Sequence, residues 1–412
     1  MHVRSRSHPE PKVYRLRATF ACALLVHVGI NGVRPMSSYR ALELGVGTES
    51  LGLLNLSFGA VALLLAMPLG SAADSRGAKP VIVWSVATLA CGAGLATVAP
   101  NFSVLLVSQA LCGVGLVGSA VGFHSLVANV GPLSGGDTRF GTFSVVVATG
   151  QLIGPILAGA VAEFGMAGNE PYGARGALLG VVVLAVMGAA VALVLPDSRV
   201  SVPATVRKNG TRAVGKILRS GSARRALLVS TLVFLAVDLL STFLPAYGVH
   251  VGWSIGTVTV LLGLRAAASI LSRLLLGRLL TLMRRSGLLV GGSLLGAAAL
   301  VIPPLVPLPH GTVVAAVALF IFGVGIGVGQ PITMAWLVRT SPNEHRSLGI
   351  GARLSVIQAG QILVPPAMGV LVAFAGPAWI FWGLSALLAS VAATTRRGGV
   401  DPTAEVAPVE PD

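Results

Sequence analysis

The chain has 412 residues, of which 54% are hydrophobic and only 10% are charged, whereas a soluble globular domain carries roughly a quarter charged residues. This composition excludes soluble enzymes, nucleic-acid-binding modules and disulfide-rich secreted domains. It predicts helices that pack through small residues in a lipid bilayer. The net charge of +15 then has to be explained by where the basic residues lie along the sequence.

Apolar stretches long enough to cross a bilayer recur twelve times along the sequence. Between the sixth and seventh stretches lies a long polar and basic segment, 196–224, which separates a first half, 19–195, from a second half, 225–395. Tails at 1–18 and 396–412 flank the two halves. The sequence therefore predicts an all-α membrane protein with six helices in each half. The spans are expected near 19–39, 51–70, 80–99, 103–129, 141–162, 176–195, 225–247, 256–277, 287–306, 312–337, 348–374 and 377–395.

Most of the 29 Lys and Arg residues lie in the two tails, in the central segment and in every second loop. Basic residues beside span ends mark the cytoplasmic side of a membrane. We therefore expect a multi-pass protein of the cell (inner) membrane with both termini in the cytoplasm. The basic excess then sets the orientation of the protein in the membrane, and no nucleic-acid partner is needed to explain it.

The partners that we expect instead are the lipid bilayer, a small-molecule substrate and a proton gradient. We also expect a monomer without cofactor or metal.

The second half of the sequence repeats features of the first. Several glycines, and a six-residue segment that begins with Gly-Gln and ends with Pro, recur at offsets of about 207 to 210 residues. In secondary transporters such repeats place the substrate site between the two halves, which rock to alternate access. The matching pairs are Gly45 with Gly252, Gly70 with Gly277, Gly113–Gly115 with Gly323–Gly325, and Gly150–Pro155 with Gly360–Pro365.

The loop between the second and third spans holds Gly70, Asp74, Arg76, Gly77 and Lys79. It resembles the G-x-L-a-D-r-x-G-r-k signature of the major facilitator superfamily. The resemblance implies the fold of that family and a cytoplasmic latch that stabilises the outward-open state. In such a latch the glycine lets two helices approach and the aspartate accepts hydrogen bonds from a helix N-terminus or an arginine. A polar turn without a gating role is the alternative.

The fifth predicted span carries small residues and a proline at fixed spacing. The pattern is similar to the antiporter motif of the same family, G-x8-G-x3-G-P-x2-G-G, with one Gly replaced by Ala. The resemblance implies a drug/proton antiporter type of exporter, whereas glycines that serve only helix packing are the alternative. The residues concerned are Gly141, Gly150, Gly154, Pro155, Ala158 and Gly159.

Charged residues inside predicted spans are the main candidates for a site, because burying a charge at membrane depth is costly. Asp238, near the middle of the seventh span, is the candidate proton carrier. Arg34 and Arg265 lie on spans that line the central cavity in the family that this sequence resembles, and they are candidate cavity residues. A static ion pair between Asp238 and either arginine is an alternative, as is an Arg34 side chain that reaches the outer interface.

Three further polar residues, Gln151, Gln361 and His124, are candidate cavity contacts on other spans. A membrane histidine can instead serve a hydrogen bond between helices. Arg273 and Arg353 lie nearer to span ends, and their side chains are expected to extend toward the cytoplasmic interface.

The leading hypothesis is a proton-coupled exporter of small organic or amphiphilic compounds, driven by an ion gradient because the sequence has no ATP-binding motif. A proton-coupled importer of an anionic metabolite is a second hypothesis, motivated by the arginines. A polytopic membrane enzyme or receptor is a remote third. Motifs for metal-dependent or nucleophilic catalysis are missing from the sequence, so we do not expect an enzyme.

Overall fold

The computed structural model describes residues 11–129, 136–165, 173–195, 221–306, 310–340 and 346–396. Across these ranges the regular structure is helical, which confirms the predicted all-α fold. Two short 3-10 turns, Thr48–Ser50 and Pro303–Leu305, also occur. The helices are α1 Pro11–Glu43, α2 Leu51–Arg76, α3 Ala78–Val98, α4 Phe102–Asn129, α5 Gly136–Gly165, α6 Ala174–Leu193, α7 Gly221–His250, α8 Ile255–Leu274, α9 Leu276–Leu282, α10 Arg285–Val301, α11 His310–Gly327, α12 Gly329–Thr340, α13 Arg346–Ala375 and α14 Trp379–Arg396.

Within the described ranges, eleven helical segments are long and apolar enough to cross a bilayer. They match the first eleven predicted spans in order, and the twelfth predicted span coincides with the 18-residue helix α14. One segment, Gly311–Leu337, is not a single helix, because α11 ends at Gly327 and α12 begins at Gly329. The predicted linker lies outside the described residues up to position 220, and α7 begins at Gly221.

The first of two compact units comprises Met1–Arg40 and Ala60–Val202. Inside it, α3 packs against α4 and α6, and α5 packs against α6. The α3–α4 contact depends on small residues, since a Cβ atom built at Gly115 would lie 2.8 Å from the carbonyl oxygen of Ser85. Glycine therefore sets how closely these two helices approach.

The second unit comprises Ala41–Gly59 and Pro203–Asp412. In it, α7 packs against α12, α13 and α14, α8 packs against α11, and α10 packs against α11 and α14. The first turns of α2 belong to this unit. Gly52 of α2 lies so close to α13 that a Cβ atom there would overlap the backbone of Pro365. A Cβ atom at Gly369 of α13 would overlap the carbonyl oxygen of Glu49, in the 3-10 turn before α2.

The internal repeat is visible in how the two halves build equivalent turns. Gly45, after α1, and Gly252, after α7, have φ values of +73° and +74°, a conformation that glycine adopts without strain. The amide after each glycine closes the same helix-ending motif: Val46 N–H donates to the carbonyl oxygen of Ala41 at 3.1 Å, and Trp253 N–H donates to that of Gly248 at 2.7 Å.

Helix packing repeats in the same way. Gly115 of α4 lies against Ser85 of α3, and its repeat partner Gly325 of α11 lies against Gly292 of α10.

At the ends of α5 and α13, Phe164 and Phe374 are 87% and 89% exposed. Such side chains are costly to expose to water, so they indicate a surface that faces lipid.

Candidate functional site

A buried polar cluster in the second unit is centred on Asp238 of α7. Its side chain is 4% exposed, in a helix that is long and apolar enough to cross a membrane. Gln361 of α13 is 1% exposed, and its Nε2 donates a hydrogen bond to Oδ2 of Asp238 at 3.1 Å. The structure therefore brings together two residues that the sequence singles out separately.

One turn after Asp238, a second pair extends the cluster to α2. The Nδ2 of Asn55 donates to Oγ1 of Thr242 at 2.8 Å. The single hydroxyl proton of Thr242 has two acceptors in reach, Oδ1 of Asn55 at 3.1 Å and the backbone oxygen of Asp238 at 3.2 Å. Asn55 and Thr242 are not among the predicted site residues. Their signal in the sequence is a polar side chain inside an apolar span, and for Thr242 also its position four residues after Asp238.

Arg265 lies on α8 of the same unit and is 3% exposed. Its Nε has no hydrogen-bond partner among the described residues. Gly323 of α11 packs directly against its backbone carbonyl group. A buried cation with donor capacity left over can bind an anionic or polar group, and the role of Arg265 as a cavity residue stays a prediction.

The side chains of Arg273 and Arg353, which are expected to extend toward the cytoplasmic interface, both bond to neighbouring helices. Arg273 Nε donates to the carbonyl oxygen of Gly327 at 3.1 Å, at the break between α11 and α12. In an unbroken helix that oxygen would accept from residue 331, but Pro331 has no N–H. Arg273 therefore supplies the donor that proline lacks, and Arg353 Nε donates to the hydroxyl of Ser230 on α7.

The predicted site residues of the first unit lie on α1, α4 and α5. Arg34 is half-buried on α1, and Gln151 is half-buried on α5. His124 of α4 is exposed, with Nδ1 2.6 Å from the carbonyl oxygen of Ala120. Its ring meets that of Phe143 edge-on at 5.1 Å between ring centres, and the ring centre of His27 lies 6.2 Å from that of Phe143.

The antiporter-like motif on α5 forms a close contact with α1. A Cβ atom at Gly150 would lie 2.5 Å from Cβ of His27, and one at Gly154 would lie 2.5 Å from the carbonyl oxygen of Val28. Ala158 lies close to Gly32 of α1, whose Cβ would be 3.2 Å from the Ala158 methyl group. Pro155 and Gly159 are buried on the same helix, while Gly141 is helical with its surroundings outside the described part.

The latch-like loop has a sharp turn between α2 and α3. Gly77 makes the turn with φ +96° and donates its N–H to the carbonyl oxygen of Ala73 at 3.1 Å. Arg76 is exposed and Lys79 is half-buried, while the Asp74 side chain lies outside the described residues. A Cβ atom built at Gly70 would meet no described atom within 4 Å, so the close helix contact expected there is not seen among the described residues.

Comparison with known proteins agrees with this architecture. The family model for the Major Facilitator Superfamily matches residues 19–335 and 226–409. The quinolone resistance protein NorA of Staphylococcus aureus strain MRSA252 is 29% identical over 154 residues, which are 37% of this chain and 39% of the relative. The match thus spans well under half the length of this relative.

Solved structures show the same fold at low identity. The nucleoside transporter NupG is 14% identical with a TM-score of 0.75, over 93% of this chain and 99% of that one. A D-xylose-proton symporter is 12% identical, also with a TM-score of 0.75, over 93% of this chain and 97% of that one. With the family match across both halves, these findings identify the protein as a membrane transporter that belongs to the major facilitator superfamily.

Proposed function

We propose that this protein is a proton-coupled secondary transporter that exports small organic or amphiphilic compounds by alternating access. The observation that carries the proposal is the buried carboxyl group of Asp238, which Gln361 holds within a membrane-length apolar helix. A charge at the centre of a membrane helix costs about 2.5–3.5 kcal/mol on insertion scales. A carboxyl group kept at that cost is well suited to take up and release a proton.

Proton binding at Asp238 would couple transport to the gradient. A neutral carboxyl group is cheaper to bury than a carboxylate, so protonation favours the state in which the group is enclosed. Release on the other side of the membrane restores the charge and favours the state in which water reaches it. In this proposal the protein is a monomer in the cell membrane with both termini in the cytoplasm, and the loop from Gly70 to Lys79 acts as the cytoplasmic latch.

Export rather than import is supported by the α5 motif and by the relative. Gly150 and Gly154 of this motif pack closely against α1, and the export direction rests on the resemblance of the motif to the antiporter motif. The relative is named for quinolone resistance, and quinolones are aromatic amphiphiles. We therefore infer that the substrates include planar organic compounds that partition into membranes.

Proteoliposomes with an imposed proton gradient test this function. We expect efflux of ethidium and of a quinolone to accelerate when the gradient is applied, and to stop when an uncoupler abolishes it. Gradient-independent dye movement equal to that of empty liposomes would contradict the proposal.

Import of an anionic metabolite is the second candidate. It is favoured by the buried Arg265, whose Nε is unpaired among the described residues. In the same proteoliposomes, an inward proton gradient would then accelerate uptake of labelled organic acids instead of dye efflux. An Arg265→Gln variant separates the two: it would lower uptake of organic acids in an importer and leave export of cationic dyes largely intact in an exporter.

A further inference from the structure

The amide of Gln361 is paired on its donor side and unpaired on its acceptor side among the described residues. Its Nε2 donates to Oδ2 of Asp238 at 3.1 Å, but its Oε1 is buried and has no hydrogen-bond partner among the described residues. Buried polar atoms in proteins are nearly always paired, because leaving one unpaired costs free energy. The unpaired Oε1 of Gln361, next to the carboxyl group of Asp238, therefore calls for a functional explanation.

The two protonation states of Asp238 need opposite partners. An ionised carboxylate only accepts hydrogen bonds, whereas a protonated carboxyl group also has one O–H to donate. A glutamine amide carries donors on one side and an acceptor on the other, and a half-turn about its Cγ–Cδ bond exchanges them. One glutamine can thus serve both states without any movement of the helices.

We propose that Gln361 is a two-state positioning residue for Asp238: its Nε2–H donates a hydrogen bond to the carboxylate and, after the amide rotates, its Oε1 accepts a hydrogen bond from the O–H of the protonated carboxyl group. The inference rests on the proposed role of Asp238 as the proton carrier. It deepens that role because it gives each protonation state a hydrogen-bonded partner. Neither state then leaves the carboxyl group unpaired in the bilayer.

Packing around Gln361 keeps the amide within reach of Asp238. Gly360, the preceding residue, lies so close to α7 that a Cβ atom there would be 2.8 Å from Cγ2 of Thr231 and 2.9 Å from Cδ1 of Leu235. Gly59 of α2 lies behind Gln361, with a built Cβ 3.4 Å from that of Gln361. The backbone is thus fixed on two sides, and rotation of the terminal amide is the remaining way to change partners.

A Gln361→Met variant tests the inference, with Gln358→Met as its matched control. Gln358 lies on the same helix, is also buried, and has no hydrogen-bond partner for its Nε2 among the described residues. We expect Gln361→Met to slow proton-driven efflux by about tenfold, as for loss of one hydrogen bond to a charged group.

Infrared difference spectra between low and high pH provide a readout that a purely structural role would not move. In the wild type, we expect protonation of Asp238 to shift the carbonyl stretching band of the Gln361 amide, identified by its absence in Gln361→Met. In Asp238→Asn the shift should vanish. A Gln361 band that ignores the state of Asp238 would overturn the inference.

The two proposals fail in different ways. If Gln361→Met and Gln358→Met slow proton-driven efflux equally, Gln361 has no special role and the inference is wrong, while the function stands. If Asp238→Asn keeps full proton-driven efflux, the proposed function itself is wrong. In an Asp238→Asn background the further change Gln361→Met should add little, because the two residues act as one unit.

Discussion

Asn55 and Thr242, 187 positions apart in the sequence, hydrogen-bond through their side chains at 2.8 Å, one turn beyond Asp238 on α7. Both are buried, so each is the partner that the other needs. The pair ties the first turns of α2 to α7 within the second unit. A conformational change that separates these helices must break this bond.

Thr242→Val should destabilise the protein, because it keeps the shape of the side chain but leaves the Asn55 amide unpaired. We expect a loss of about 1–3 kcal/mol, measured as a lower apparent Tm in detergent. Thr231→Val on the same helix is the control, since the hydroxyl of Thr231 donates to the backbone oxygen of Leu227 within its own helix. Equal effects of the two variants would contradict the importance of the Asn55–Thr242 bond.

Gly154→Ala should also destabilise, because its methyl group would lie 2.5 Å from the carbonyl oxygen of Val28 and force α1 and α5 apart. Overpacking of this kind costs about 1–3 kcal/mol. Gly176→Ala in α6 is the control, where a Cβ meets no described atom within 4 Å and alanine is the better helix former. A thermal unfolding series of both variants, with transport rates, checks this, and an equal Tm for the two would refute it.

The effects of substitutions at Arg273 and Pro331 on stability should depend on each other. Arg273→Leu leaves the carbonyl oxygen of Gly327 without its donor, and we expect a loss of about 1–3 kcal/mol. Pro331→Ala restores a backbone N–H that can reach the same oxygen. The double variant Arg273→Leu/Pro331→Ala should therefore recover part of the lost stability. A double variant no more stable than Arg273→Leu alone would contradict this role of the arginine.

A substitution at Gly70 distinguishes a cytoplasmic latch from a polar turn without a gating role. Because a Cβ atom built there meets no described atom within 4 Å, we expect Gly70→Leu to leave the apparent Tm close to that of the wild type. If the loop forms a close contact in another state of the transport cycle, the same variant should slow transport severalfold. Wild-type transport in Gly70→Leu would mean that the loop has no gating role at this position.

Most of the fold is predictable from the sequence, since membrane spans are set by length and hydropathy. The sequence does not predict the break at Val328. Pro331 lies close to it, but proline alone does not predict a break, because membrane helices tolerate proline wherever another group replaces its missing donor. That group is Arg273, far away in the sequence. The sequence marks the proline but not the residue that compensates for it.

The candidate site is predictable only in part: some of its residues stand out in the sequence, but their contacts do not. Asp238 and Gln361 stand out as polar residues in apolar spans, yet their hydrogen bond joins positions 123 apart. Gly70 shows the reverse limit: its pattern predicts a close contact that this structure does not contain among the described residues. Asn55 does not stand out in the sequence, because a single uncharged polar residue is common in membrane helices. Only its hydrogen bond to Thr242 places it in the cluster around Asp238.

Proton-driven efflux in proteoliposomes, compared between wild type and Asp238→Asn, is the most direct test of the account. Asparagine keeps the size and polarity of the aspartate but is unable to carry a proton. We predict that Asp238→Asn loses acceleration by the proton gradient while it still exchanges substrate across the membrane. Full gradient-driven efflux in Asp238→Asn, from protein with a wild-type Tm, would contradict the role of Asp238 as the proton carrier.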